Sequence, residues 1–140
     1  MPAIQAATPP SFNSSIPVFP VDDVVAAIEF YVDVLGFKKE FQWPDDTTEP
    51  TYAGVVRGTV QIHIARSDVA NPRPDTIKVS NLNVFVEGIH ALYEEFVNNG
   101  AAIDGPPTKQ PYGMTIFNVT DTYGHQLCFA EPTTQCEAKA

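Results

Sequence analysis

Val21-Asp22-Asp23-Val24 lies over Val86-Glu87-Gly88-Ile89 when the chain is slid along itself by 65 residues. At the same offset Ser15 falls on Ser80, Val18 on Asn83, Phe19 on Val84, Tyr31 on Phe96 and Val32 on Val97. Further on, Gln61 meets Gln126, Ile62 meets Leu127, Ile64 meets Phe129 and Ala65 meets Ala130. One register survives over about fifty residues, apart from one residue of slip between Gly36 and Gly100. A few matched apolar residues arise by chance. Strands and a helix matching in one frame mark an internal duplication.

Each copy reads in the same way. Ile16–Val21 and Leu82–Val86 are short strand-like runs. The first helix carries Val24, Ile28, Tyr31 and Leu35 on one face, with Gly36 in the C′ position that closes it. The second carries Ile89, Leu92, Tyr93 and Phe96 and ends at Asn98-Asn99-Gly100. Phe37–Trp43, Thr51–Arg57 and Val60–Ala65 follow as strands in copy one, with a tight turn at Gly58. In copy two the strands are Met114–Thr120 and Gln126–Glu131, and one weak edge strand is expected between Gly100 and Pro111. The sequence therefore predicts an α+β fold of tandem βαβββ modules whose curved sheets form a cup, the shape in which small ligands sit. Residues 1–140 form a single domain, with module one about 14–66, module two about 79–131, and flexible ends at 1–13 and 132–140.

Composition excludes several classes of function. At 44% hydrophobic and 18% charged, the chain is that of a soluble globular protein. No apolar run reaches the roughly 18 residues of a membrane span, and the first fourteen residues hold neither a basic leader nor an apolar core, so no secretory signal is expected. Cys128 and Cys136 make no disulfide framework, which points to a reducing cytoplasm. A formal charge of −9 makes nucleic acid and anionic membrane poor partners. It either draws in a cationic ligand at long range or serves solubility alone.

Ile16-Pro17-Val18-Phe19, the helix ending Glu29-Phe30-Tyr31…Leu35-Gly36-Phe37, Tyr52-Ala53-Gly54-Val55-Val56-Arg57, Gln110-Pro111-Tyr112-Gly113-Met114 and Asp121…Gly124 form a set of stretches. Together they resemble bleomycin resistance proteins. The resemblance covers about residues 14–131 and implies the glyoxalase/bleomycin resistance/dioxygenase fold of the vicinal oxygen chelate superfamily, which also includes glyoxalase I and extradiol dioxygenases. In the metal-using members four ligands come from equivalent strands of the two modules. Carried onto this chain, those positions are Ile16, His63, Asn81 and Cys128. Ile16 can donate nothing and Asn81 is a weak neutral donor, so only His63 and Cys128 remain for a site that needs three or four ligands. No metal and no cofactor are expected.

The resemblance also places aromatic residues at Phe41, Tyr52 and Tyr112 along a drug cleft, where they stack on flat heteroaromatic groups. With Trp43 they form the expected ligand-binding set, joined by His63, Asn81, Asn83, Met114 and Cys128. The carboxylates of Glu40, Asp45, Asp46 and Glu49 would supply a negative rim. These aromatics and acids also have plainer readings, as core and as an exposed loop, and Phe117 is read as core. His63 is either a ligand contact or a histidine satisfied inside a half-polar cup. Asn83 stands where drug-binding members often carry tryptophan. Cys128 reads as a small buried hydrophobe, His90 as a solvated helix residue, and His125 has no evident partner. Pro17 corresponds to the place where the N-terminal strand crosses to a second subunit, which implies a homodimer. The expected function is metal-free capture of an aromatic or cationic small molecule, such as a glycopeptide antibiotic. The competing expectation is a metal-dependent lyase, isomerase or dioxygenase, or a metal-free isomerase with His63 as base.

Overall fold

Buried and outward residues alternate along Met114–Thr120, and less regularly along Val60–Arg66, which separates a core face from an open face. The structure, a computed structural model, describes residues 8–70 and 80–133. Its first half runs β1 (Val18–Val21), α1 (Val24–Asp33), β2 (Lys38–Trp43), β3 (Tyr52–Arg57), β4 (Val60–Arg66) and one helical turn, α2 (Ser67–Ala70). The second runs β5 (Asn81–Phe85), α3 (Ile89–Asn98), β6 (Ala102–Ile103), β7 (Thr108–Lys109), β8 (Met114–Thr120) and β9 (Gln126–Pro132). The α+β fold of tandem βαβββ modules is therefore present. Segments 1–7 and 134–140, including Cys136, lie outside the described residues.

The sheet orders are β1-β4-β3-β2 and β5-β9-β8-β6, with β7 also on β8. In the first, β1 runs parallel to β4 with Val18 opposite His63. In the second, β5 runs parallel to β9 with Asn83 opposite Cys128. These two pairs are related by the 65-residue repeat, so the duplication extends to strand register. The expected edge strand of module two is two short strands, because Gly105-Pro106-Pro107 interrupts the ladder between them.

Phe19, Val21, Ala53, Val55, Ile62 and Ile64 point inward against α1, which buries Val24, Ala27, Ile28 and Tyr31. Asp23 starts α1 by accepting the Ala26 N–H at 3.1 Å. Gly88, at φ +79°, gives α3 no capping side chain. Instead Glu131 at the end of β9 accepts the N–H groups of Gly88 (2.9 Å) and Ile89 (3.3 Å), placing a carboxylate at the positive end of the helix. The two helices also stop differently. Ala101 bonds the Phe96 carbonyl five residues back, across Gly100 at φ +84°, whereas Phe37 bonds the Tyr31 carbonyl six residues back, across Gly36 at φ +74°. The cap residue of α1 is Val34, so Gly36 lies one place beyond the expected C′ position. That wider turn is the one-residue slip in the repeat.

The halves meet at their helix caps. Asn99 Nδ2 donates to the Val34 carbonyl at 3.0 Å, and these two helix-cap residues are repeat equivalents, 65 apart. On one side of this contact Tyr31 Oη donates to Asp121 at 2.8 Å. On the other, Arg57 forms a two-pronged pair with Glu95 at 2.8 and 3.0 Å and also donates to the Leu35 carbonyl. Glu95 and Arg57 stand next to the repeat equivalents of Tyr31 and Asp121, Phe96 and Val56.

Asp121 accepts from the backbone of Tyr123 and His125 as well. His125, for which the sequence shows no evident partner, is fully buried: Nδ1 accepts the Ser80 N–H at 2.9 Å and Nε2 lies 2.6 Å from the Pro20 carbonyl. Its ring stacks on Phe19 at 4.6 Å and 24°. Accepting at Nδ1 leaves the proton on Nε2, which donates to Pro20.

Burial first, and the Asp121 charge second, raise the Tyr31 phenol far above its ordinary value. A phenol raised in the folded state favours folding fully below the unfolded value of 10.0, and that contribution is lost as pH climbs past it. Replacing Tyr31 by Phe should cost about 1–3 kcal/mol at neutral pH. It should also flatten the decline in stability above pH 10, by up to about 1.4 kcal/mol per pH unit. Urea unfolding of both proteins between pH 7 and 11 measures the two effects together.

Candidate functional site

The open face of the first sheet carries a ring cluster built by three adjacent strands. Gly54 of β3 is opposite both Phe41 of β2 and His63 of β4, and Trp43 is opposite Tyr52. A register shift between Lys39 and Phe41 sets the phase of β2. The Phe41 and Tyr52 rings stack at 6.1 Å and 20°. Both meet His63 edge-on, at 5.2 Å and 85° for Phe41 and at 5.3 Å and 80° for Tyr52. Tyr52 Oη lies 2.8 Å from His63 Nδ1. A Cβ on Gly54 would come within 2.4 Å of Phe41 Cε1, so the ring lies directly on the glycine backbone. Phe41 remains 38% exposed and Trp43 65% exposed.

The second sheet presents a more polar open face. Asn83 lies opposite Cys128, which in turn lies opposite Asn118. Asp104 accepts from the Asn118 backbone at 2.9 Å and from its side chain at 2.8 Å. Burial first, and the Asp104 charge second, raise the Cys128 thiol, so it is held in its less nucleophilic form. Asn81 and Asn83 are exposed on the edge strand β5. Tyr112, 67% exposed, sits in the turn before the half-buried Met114 that starts β8. Phe117 lies in the core.

The structure thus gathers Phe41, Trp43, Tyr52 and His63 on one sheet, and Asn81, Asn83, Met114 and Cys128, with Tyr112 in the adjoining turn, on the other. Among the described residues, the hydrogen bonds and ring contacts between the halves run through the helices, turns, β1 and the end of β3, and none involves these nine residues. A cleft of about 370 Å³ between the halves, lined by Leu35, Phe37, Val84, Phe96 and Phe129 with Arg57 beside them, also holds none of them. Of the expected acidic rim, Glu40 bonds Gln61 beside the ring cluster, whereas Glu49 lines a separate cleft with Asp22, Asp23 and Arg66. Pro17 is half-buried, and its carbonyl accepts the His63 N–H at 2.9 Å.

The superfamily's metal does not fit these residues. Ile16 carries no donor, the nearest partner of His63 is a phenol, and no group of three or more His, Cys, Asp or Glu among the described residues is placed to hold an ion. Sequence reading missed the pairing of Tyr52 with His63. Their positions in facing strands, eleven residues apart around a tight turn, are the signal that could have found it.

A family model described as Glyoxalase/Bleomycin resistance protein/Dioxygenase superfamily matches residues 15–129. The chain belongs to that superfamily. The fold is shared with TioX from Micromonospora sp. ML1, at 20% identity over 86% of this chain and 99% of that one, with a TM-score of 0.72. It is shared with a superfamily member from Sphaerobacter thermophilus at 22% identity, covering 86% and 98%, with a TM-score of 0.70. The bleomycin-binding protein of Streptomyces verticillus, solved with copper(II)-bleomycin, is 27% identical over 89% of this chain and 98% of that one, with a TM-score of 0.63. No curated protein matches this superfamily member in sequence. Among the described residues, no helix is long and apolar enough to cross a membrane.

Substituting Gly54 by Ala should push Phe41 off the sheet and open the ring cluster. Because β3 is central, a stability cost of about 1–3 kcal/mol is expected from overpacking. The aromatic signals of Phe41 and His63 in nuclear magnetic resonance spectra should shift while those of Phe117 and Phe129 stay in place.

Proposed function

We propose that this protein is a metal-free, dimeric binding protein that captures an aromatic or cationic small molecule, such as a glycopeptide antibiotic of the bleomycin type. The observation that carries the reading is the exposed ring cluster: Phe41 stacked on Tyr52, both set edge-on to His63, with Trp43 beside them. Such a surface offers a flat ligand stacking partners already held in place, and aromatic faces attract cations by about 0.5–2 kcal/mol per contact. The charge of −9 steers a basic ligand toward the protein. Similarity to a bleomycin-binding protein at 27% identity over nearly the whole length supports the same class of ligand.

A second copy completes the site in this reading. A two-fold partner brings the polar face of one chain opposite the ring cluster of the other, with Pro17 at the crossover and Tyr112 closing the cleft. Capture is stoichiometric, with one ligand per chain and no covalent step. The free thiol at Cys128 accords with a cytoplasmic location. The enzyme reading of the superfamily has less support, since the donor set it requires is not present among the described residues.

Calorimetric titration with bleomycin and with copper(II)-bleomycin, alongside light scattering for mass, tests the proposal. We expect a dimer, one ligand per chain, and affinity in the micromolar range or tighter. Tyr52→Ala should weaken binding by roughly tenfold to a hundredfold, the loss of one ring stack. Absence of heat at tens of micromolar from a folded dimer removes the bleomycin assignment.

A further inference from the structure

His63 is anchored on one side only. Tyr52 Oη, 2.8 Å from Nδ1, is the one hydrogen-bond partner of the ring among the described residues. A phenol is a stronger acid than a neutral imidazole N–H, and an imidazole nitrogen is a better acceptor than a phenol oxygen. The phenol therefore donates, Nδ1 accepts, and the imidazole proton resides on Nε2. Phe41 and Tyr52 fix the plane of the ring by edge contacts, so the direction of this N–H is set before any ligand arrives. Its register neighbours on the open face are Val18 and Gly54, which offer no side-chain acceptor. The nearby Glu40 carboxylate is held by Gln61 Nε2, at 3.2 Å from each oxygen.

We propose that His63 is a specificity-determining residue. Its preset Nε2–H reads a hydrogen-bond acceptor, a carbonyl or carboxylate oxygen, on the edge of a planar aromatic group lying against Phe41, Tyr52 and Trp43. The inference rests on the capture reading but sharpens it. A flat cation with no acceptor gains only the rings, whereas an aryl amide gains the rings and one directed bond. Tyr52 acts here as a positioning residue: its hydroxyl holds the tautomer, and its ring forms part of the platform.

The experiment compares 2-naphthamide, which carries the acceptor, with 2-naphthylmethylammonium, which does not, by calorimetric titration of wild type, His63→Phe and His63→Gln. Glutamine can accept from Tyr52 through its oxygen and donate through its nitrogen, so it preserves the proposed function without the imidazole. His63→Phe should weaken the amide about tenfold, the worth of one directed hydrogen bond, and leave the ammonium within about twofold. His63→Gln should restore the amide to within a few-fold of wild type. Equal losses for both probes, or equal losses in both variants, would overturn the role of His63 while leaving capture intact. If neither probe binds wild type, the capture reading falls and this inference falls with it. Nitrogen chemical shifts of the imidazole near pH 8 give a check that needs no ligand. A proton found on Nδ1 in the free protein overturns the proposal.

Discussion

The buried Asp121 carboxylate ties the two halves of the molecule together. It takes the Tyr31 hydroxyl from the first half and two backbone N–H groups from its own turn, so the charge is matched on several sides. The same turn delivers His125, whose ring spans from the Ser80 amide to the Pro20 carbonyl and covers Phe19. One turn of the second half thereby fixes the position of both α1 and β1 of the first. Arg57 and Glu95 form a second tie between the halves, in more solvent-exposed surroundings that make the pair worth less. The ring cluster on the open face depends on this arrangement only indirectly. Joining the halves through helices, turns and the core side of β1 leaves the open sheet faces uncovered by these contacts.

Much of the fold was legible because a duplicated pattern constrains itself. The Met114–Thr120 strand appears with the expected bounds, and Gln126–Pro132 extends the expected strand by one residue. The 65-residue offset also relates the registers of Val18 with His63 and Asn83 with Cys128, a pairing that the structure adds to the repeat. The first strand starts at Val18 rather than Ile16. Beyond Gly100 the single expected edge strand divides, because consecutive prolines remove the donors a continuous ladder needs.

What the pattern could not reveal is which side chains meet across the join. Periodicity says that Tyr31 faces inward. It does not say that a carboxylate 90 positions later will accept the hydrogen bond its hydroxyl donates. His125 is the clearest case, since the three partners of its ring come from distant segments and no local signal announces them. The candidate site divides in the same way. Phe41, Tyr52 and His63 are neighbours within one hairpin-built sheet, so their cluster follows from register alone. Asn83 and Cys128 belong to the other sheet, which no register relation ties to this cluster.

Proline at position 20 carries a consequence for assembly. Its ring nitrogen has no hydrogen to offer, and its carbonyl, which faces away from β4, is already occupied by His125. The outer margin of β1 is thus chemically blunted along half its length. On β5 the corresponding margin keeps the main-chain groups of Asn81, Asn83 and Phe85 unused by β9, since the bonds of Ser80 and Val86 to that strand fix the opposite phase. The symmetry of the halves is therefore broken at their borders: one is blunted at Pro20, and the other keeps three outward residues with main-chain groups that β9 does not use.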